Sequence, residues 1–132
     1  MSVKRRLLAD EKGGAALEFA LLAPPLIAML FGTFQLGWAM NSASIVHDAL
    51  MTQSRALAFN ANMTSSQLQT AVRNQVAGLT DSDVTVTIDH HAVNGVNSAV
   101  ATATYTASIL VPLLGSYPVS FNSTVTVPML QV

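Results

Sequence analysis

Cysteine is absent from the chain. That excludes a disulfide framework, a thiolate metal site and a cysteine nucleophile, and it leaves the redox compartment open. Charge is scarce as well: 10% of the 132 residues carry it, against roughly a quarter in ordinary soluble domains. With a net charge of −1 and no basic stripe to neutralise phosphates, nucleic acid is not an expected partner. No Gly-x-Ser-x-Gly elbow accompanies the many serines and threonines. The Gly13-Gly14 pair precedes an apolar run, not the strand–loop–helix of a phosphate site. His90 and His91 follow Asp89, but adjacent strand residues point to opposite faces, so the two imidazoles are not expected to share an ion. No catalytic residue, metal site or cofactor is expected, and the chain reads as a non-enzyme.

What is present is concentrated near the N-terminus. Lys12 ends a basic segment, Gly13-Gly14 follows, and an apolar run of about 26 residues extends from Ala15 to Met40. At 1.5 Å per residue that run spans roughly 39 Å, enough for a hydrocarbon core of ~30 Å. Four of the six basic residues (Lys4, Arg5, Arg6 and Lys12) precede Gly14, so the N-terminus is expected in the cytoplasm and the C-terminal part across the membrane. A cleaved secretory signal would have a shorter apolar region, about 7–15 residues, and a cut near Ala43 is the competing possibility. The run's length and Trp38, placed as an interfacial anchor, favour a retained membrane helix.

Glu18 is the only charged side chain from Gly13 to Val46. A carboxylate at mid-helix costs roughly 2.5–3.5 kcal/mol on insertion scales and less near an end. It either meets a partner or snorkels to the cytoplasmic interface. Pro24 and Pro25 each remove a backbone donor, which predicts a kink or local opening. Gly32 and Gly37 either permit close helix packing or reflect the ordinary glycine content of membrane helices.

Helical spacing continues beyond the run, with Ile45, Ala49, Thr52 and Ala56 on one face and Val46, Leu50, Leu57 and Phe59 nearby. Asp48 and Arg55 are expected to face solvent or a partner. Asn60-Ala61-Asn62 reads as a break. Thr64-Ser65-Ser66-Gln67 is a capping-box pattern opening a short helix through Leu68, Ala71, Val72, Gln75 and Val76 to about Ala77, where Gly78 stops it. The period then changes to two. Val84, Val86 and Ile88 form a first strand, Asn94-Gly95 signals a hairpin, and a second strand runs from about Ser98 to Leu110. Pro112 to Pro118 reads as a connection, and Val119, Phe121, Ser123, Val125 and Val127 alternate in a third strand. The expected fold is α+β: a long N-terminal transmembrane helix, a short second helix and a three-stranded antiparallel sheet.

The arrangement resembles a type IV pilin. The segment Gly13-Gly14-Ala15-Ala16-Leu17-Glu18-Phe19-Ala20-Leu21-Leu22-Ala23-Pro24 is similar to the Gly-x-x-x-x-Glu-Phe-Ala opening and following proline of the TadE/TadG-like minor pilins, or pseudopilins, of tight-adherence (Flp, type IVc) pilus systems. Phe31 to Gly37 resembles a segment where that family often carries Glu at the Gln35 position. Val100 to Leu114 and Tyr117 to Met129 resemble its last two strands.

The resemblance implies a division into residues 1–13, a cytoplasmic prepilin-type leader; 14–59, a transmembrane and assembly helix; and 60–132, a periplasmic α+β pilin-like domain. It implies cleavage by a prepilin peptidase between Gly13 and Gly14. Glu18 and Phe19 would then be the fifth and sixth mature residues, with Glu18 meeting the N-terminal amine of a neighbouring subunit. The partners it implies are other pilin and minor pilin subunits, the peptidase and the inner-membrane assembly platform. The place it implies is the bacterial inner membrane, single-pass, and the pilus. Two departures stand out. Gln35 turns a charge contact into a neutral hydrogen bond, and Asp10 and Glu11 dilute the leader's positive charge. An uncleaved bitopic protein whose exported domain binds a partner or envelope component is the alternative. After a cut at Gly13 the remaining chain would hold two basic against five acidic side chains, a balance of −3.

Overall fold

The computed structural model describes residues 11–76, 78, 83–93, 95–112 and 114–129. Lys4, Arg5, Arg6, Asp10, Ala77 and Asn94, named above, lie outside the described residues. The order is α1 (Glu11–Ser54), a 3-10 turn (Arg55–Ala58), α2 (Ser65–Gln75), β1 (Val84–Val93), β2 (Val96–Val111) and β3 (Gly115–Pro128). The strands form one antiparallel sheet in the order β1-β2-β3. The α+β architecture is the expected one.

The sheet has one apolar face. Val84 and Val86 of β1, Ala99, Ala101, Ala103 and Tyr105 of β2, and Val127 of β3 are buried. The opposite face is a hydroxyl surface, where Thr102 meets Thr124 at 3.4 Å and Thr106 meets Ser120 at 3.1 Å across the strands. The small alanines of the central strand leave room for the C-terminal half of α1, whose Val46, Ala49 and Leu50 fill the space with Leu57, Leu68 and Val72. Near-complete burial of these side chains, each contributing roughly 1.5–3 kcal/mol, holds the layers together.

The buried stripe of α1 differs from the expected one. It runs through Ala39, Ser42, Val46, Ala49 and Leu50. Ile45 stays 43% exposed, and Thr52 is exposed. Phe59, expected beside this face, is 84% exposed. A segment apolar on all sides carries no preferred face of its own. The sheet selects the side where small residues allow close approach.

The capping box at α2 is formed in both directions. Thr64 Oγ1 accepts from the Gln67 amide at 3.3 Å, and the Thr64 amide donates to Gln67 Oε1 at 3.0 Å. One polar stripe of α2 then covers the outer edge of β1. The Ile88 amide donates to Ser65 Oγ, the Val86 amide donates to Gln69 Oε1, and Arg73 donates to the Val84 carbonyl at 2.7 Å. The i, i+4, i+8 spacing of Ser65, Gln69 and Arg73 follows the strand's outward-pointing groups, so an edge open to further pairing is closed by side chains.

Two hairpins join the strands. Val93 pairs with Val96 around Gly95, whose φ of +80° needs a residue without a side chain. The second connection is shorter than the Pro112 to Pro118 segment expected, because Gly115 to Pro118 belongs to β3. Pro118 is tolerated for a geometric reason. The Thr106 amide donates to the Asp83 carbonyl on the β1 side, so by alternation Ser108 points its backbone groups the same way. Pro118 pairs with Ser108, and its ring nitrogen therefore faces the open edge, where no donor is required.

Candidate functional site

The N-terminal part of α1 stands outside the packed layers. Gly13 to Leu22 are exposed throughout. A Cβ added at Gly13 or Gly14 would meet nothing within 4 Å, so neither glycine is required by packing inside this chain. Glu18 lies one helical turn after Gly14, on the same face, and makes no hydrogen bond or ion pair with a described residue. Phe19 is 73% exposed. Pro24 and Pro25 lie inside a continuous helical span and deprive the Ala20 and Leu21 carbonyls of their in-helix donors. The structure thus places Gly13, Gly14, Glu18 and Phe19 on one bare helical segment and brings none of them to the sheet.

The apolar helix from Gly13 to Ala58 has a mean hydropathy of 1.8 over its most apolar window, and only 6% of that window is buried. A core helix of a soluble protein is mostly covered. This one exposes Leu21, Leu26, Met29, Leu30, Phe34 and Trp38, which makes it a candidate membrane span. Residues 13–55 match the family model described as TadE-like protein. The N-terminal third of the chain is a TadE-like segment. No curated protein and no solved structure matches the chain. The match agrees with the resemblance drawn from Gly13 to Pro24.

Two contacts fasten the TadE-like segment to the sheet, and although a neutral hydrogen bond was expected at Gln35, the partners had no signal in the sequence. Gln35 Nε2 donates to the Leu110 carbonyl at 3.0 Å, and the Leu110 amide donates to Gln35 Oε1 at 2.6 Å. β1 ends its pairing at Tyr105, so the lower part of β2 has no strand on that side. The Gln35 amide takes the place of a peptide group there, giving one donor and one acceptor. An ionised Glu could only accept, and would face the Leu110 carbonyl with a negative charge. Gln35→Glu is therefore expected to free the lower hairpin, at about 1–3 kcal/mol. The check is amide hydrogen exchange, with protection at Leu110 lost and protection at Ala101 kept.

The second contact joins His47 Nδ1 to Ser123 Oγ, in a groove also lined by Asp48, Tyr105 and Phe121. No described carboxylate bonds the far ring nitrogen, so the pair lacks the orienting group of a nucleophile–base system. It fastens α1 to β3. Tyr105 and Phe121 stack beside it with ring centroids 6.2 Å apart. His90 and His91 are exposed on β1, and among the described residues no three His, Asp or Glu side chains gather where a metal could bind.

Proposed function

We propose that the protein is a minor pilin or pseudopilin of a tight-adherence (type IVc) pilus. α1 crosses the inner membrane with its N-terminus in the cytoplasm, and the α+β domain lies in the periplasm or on the pilus. The role is non-enzymatic: the chain enters or primes the assembly after a prepilin peptidase cuts between Gly13 and Gly14. The observation that carries this is the TadE-like segment itself, a bare apolar helix with one unpartnered carboxylate near its start. The charge asymmetry around the helix supports the orientation. The open surroundings of Gly13 suit a peptidase that must reach the carbonyl between the glycines.

The test is intact mass spectrometry of protein purified from a strain with active prepilin peptidase. The expected product begins at Gly14, and Gly13 replaced by a bulky residue retains the leader. An unprocessed terminus at Met1 in the unaltered chain would leave the second possibility, an uncleaved bitopic protein whose exported domain binds a partner.

A further inference from the structure

β2 and β3 are longer than β1. The pairing of β1 with β2 stops at Tyr105, while β2 and β3 stay paired to Val111 and Gly115. A two-stranded ribbon of six residue pairs, roughly 20 Å long at 3.4 Å per residue, therefore projects beyond the sheet. It runs along α1 toward the N-terminal end. At its tip Val111 and Leu114 share an apolar groove with Pro25, Met29, Gly32 and Leu36. Gly32 lies six residues, or roughly 9 Å of helix rise, on the N-terminal side of Trp38.

The tip has the composition of a lipid-facing surface. No Asp, Glu, Lys or Arg occurs from Ala92 to Val132. Leu114 in the turn and Leu110 near the end of β2 are 69% and 57% exposed, at positions where polar residues would be ordinary. Part of the backbone near the tip is bonded internally as well. Gln35 takes both polar groups of Leu110. The Leu114 amide donates to the Val111 carbonyl at 3.1 Å, and the Tyr117 hydroxyl donates to the Leu114 carbonyl at 3.1 Å. Pro112 has no amide hydrogen to satisfy. Each such internal bond lowers the cost of placing turn backbone in hydrocarbon. Tyr117 also pairs across the ribbon with Ile109, which shares a groove with Trp38. Trp38 is thus placed as an interfacial anchor beside the ribbon, while the Tyr117 hydroxyl reaches to the turn.

We propose that the tip of the β2–β3 hairpin is a second membrane-contacting element, inserted in the acyl-chain region of a phospholipid leaflet beside the outer part of α1. Trp38 marks the headgroup level, and Val111 and Leu114 lie below it. The exported domain is then held upright against the bilayer by two elements. Extraction into a filament must release both. This rests on α1 being membrane-embedded, as proposed above.

The absence of cysteine makes the test direct. Full-length chains carrying Leu114→Cys, Leu110→Cys, Leu21→Cys or Thr87→Cys are labelled with an environment-sensitive fluorophore. They are reconstituted into vesicles of phosphatidylethanolamine and phosphatidylglycerol. Lipids with a nitroxide on the acyl chain are expected to remove most of the emission at positions 114, 110 and 21, and aqueous iodide to act only at position 87. Iodide quenching at 114 and 110, with lipid quenching kept at 21, would overturn the hairpin insertion while leaving the helix in the membrane. Iodide quenching at 21 would overturn the membrane-embedded helix, and the insertion with it. Shielding of 114 and 110 from both quenchers would mean that protein covers the tip, such as a second copy of the chain, and would equally overturn it.

Discussion

Glu18→Ala is expected to abolish incorporation into pili while membrane insertion stays intact. The two halves of this outcome have separate physical causes. Removing a carboxylate from an apolar helix lowers the cost of insertion, by at most roughly 2.5–3.5 kcal/mol and by less near the helix end, so the variant enters the membrane at least as well. The fold of the exported domain is also indifferent, because Glu18 bonds to no described residue and exposed positions away from such features change stability by about ±0.5 kcal/mol. On the proposed role, what is lost is a contact with the N-terminal amine of a neighbouring subunit. An amine about 4 Å from the carboxylate, at an effective dielectric constant near 20, gains about 4 kcal/mol of Coulomb energy, which partly offsets the desolvation of both groups. Without Glu18 the amine is left uncompensated, which for a broken buried pair costs about 3–5 kcal/mol and lowers subunit docking by roughly a hundredfold or more. Glu18→Gln keeps the shape and a hydrogen bond but not the charge, so it should fall between the two. The measurement is an immunoblot of sheared pili against the membrane fraction. Normal amounts of Glu18→Ala in the sheared fraction would show that Glu18 only snorkels at the interface.

The parts of the molecule that were legible in the sequence are those fixed by neighbours along the chain. Thr64 and Gln67 are three residues apart, and their reciprocal bonds need nothing from elsewhere. The hairpin around Gly95 follows from local turn geometry. The motif from Gly13 to Phe19 was readable for the same reason: it is short, contiguous and unlike its surroundings. Contacts across the chain were not readable. Gln35 and Leu110 are 75 residues apart, and nothing in a lone glutamine indicates that it will complete the edge of a strand. Pro118 was assigned to a loop because proline lacks a donor, yet alternation turns that nitrogen outward and the strand runs through it. The stripe of Ser65, Gln69 and Arg73 had a helical spacing, but its partner was a strand edge whose position only the folded sheet defines.

The face of α1 that meets the sheet was the least legible feature, and it has the clearest energetic consequence. Leu50→Ala is expected to destabilise the α+β domain by about 2–5 kcal/mol, the sum of lost transfer energy and the cavity left behind. Leu50 is fully buried and belongs to the cluster where α1, α2 and the sheet converge, with Val46, Leu57, Leu68, Val72 and Val84. These neighbours come from separate elements, so collapse around the gap is limited. A small domain of this kind has a total stability near the lower end of about 5–15 kcal/mol, and the loss is a large fraction of it. Ile45→Ala removes a similar volume from the same helix, but Ile45 is 43% exposed and the cost should stay below about 1 kcal/mol. Urea unfolding of the two variants in detergent, followed by near-ultraviolet circular dichroism of the stacked Tyr105 and Phe121, separates them. Equal midpoints would mean that the helix does not present the Val46–Leu50 face to the sheet. Both variants keep the apolar run that enters the membrane. A Leu50→Ala chain should therefore reach the membrane in normal amounts and then be lost to proteases acting on its unfolded exported domain, whereas a Glu18→Ala chain should accumulate there folded and unassembled.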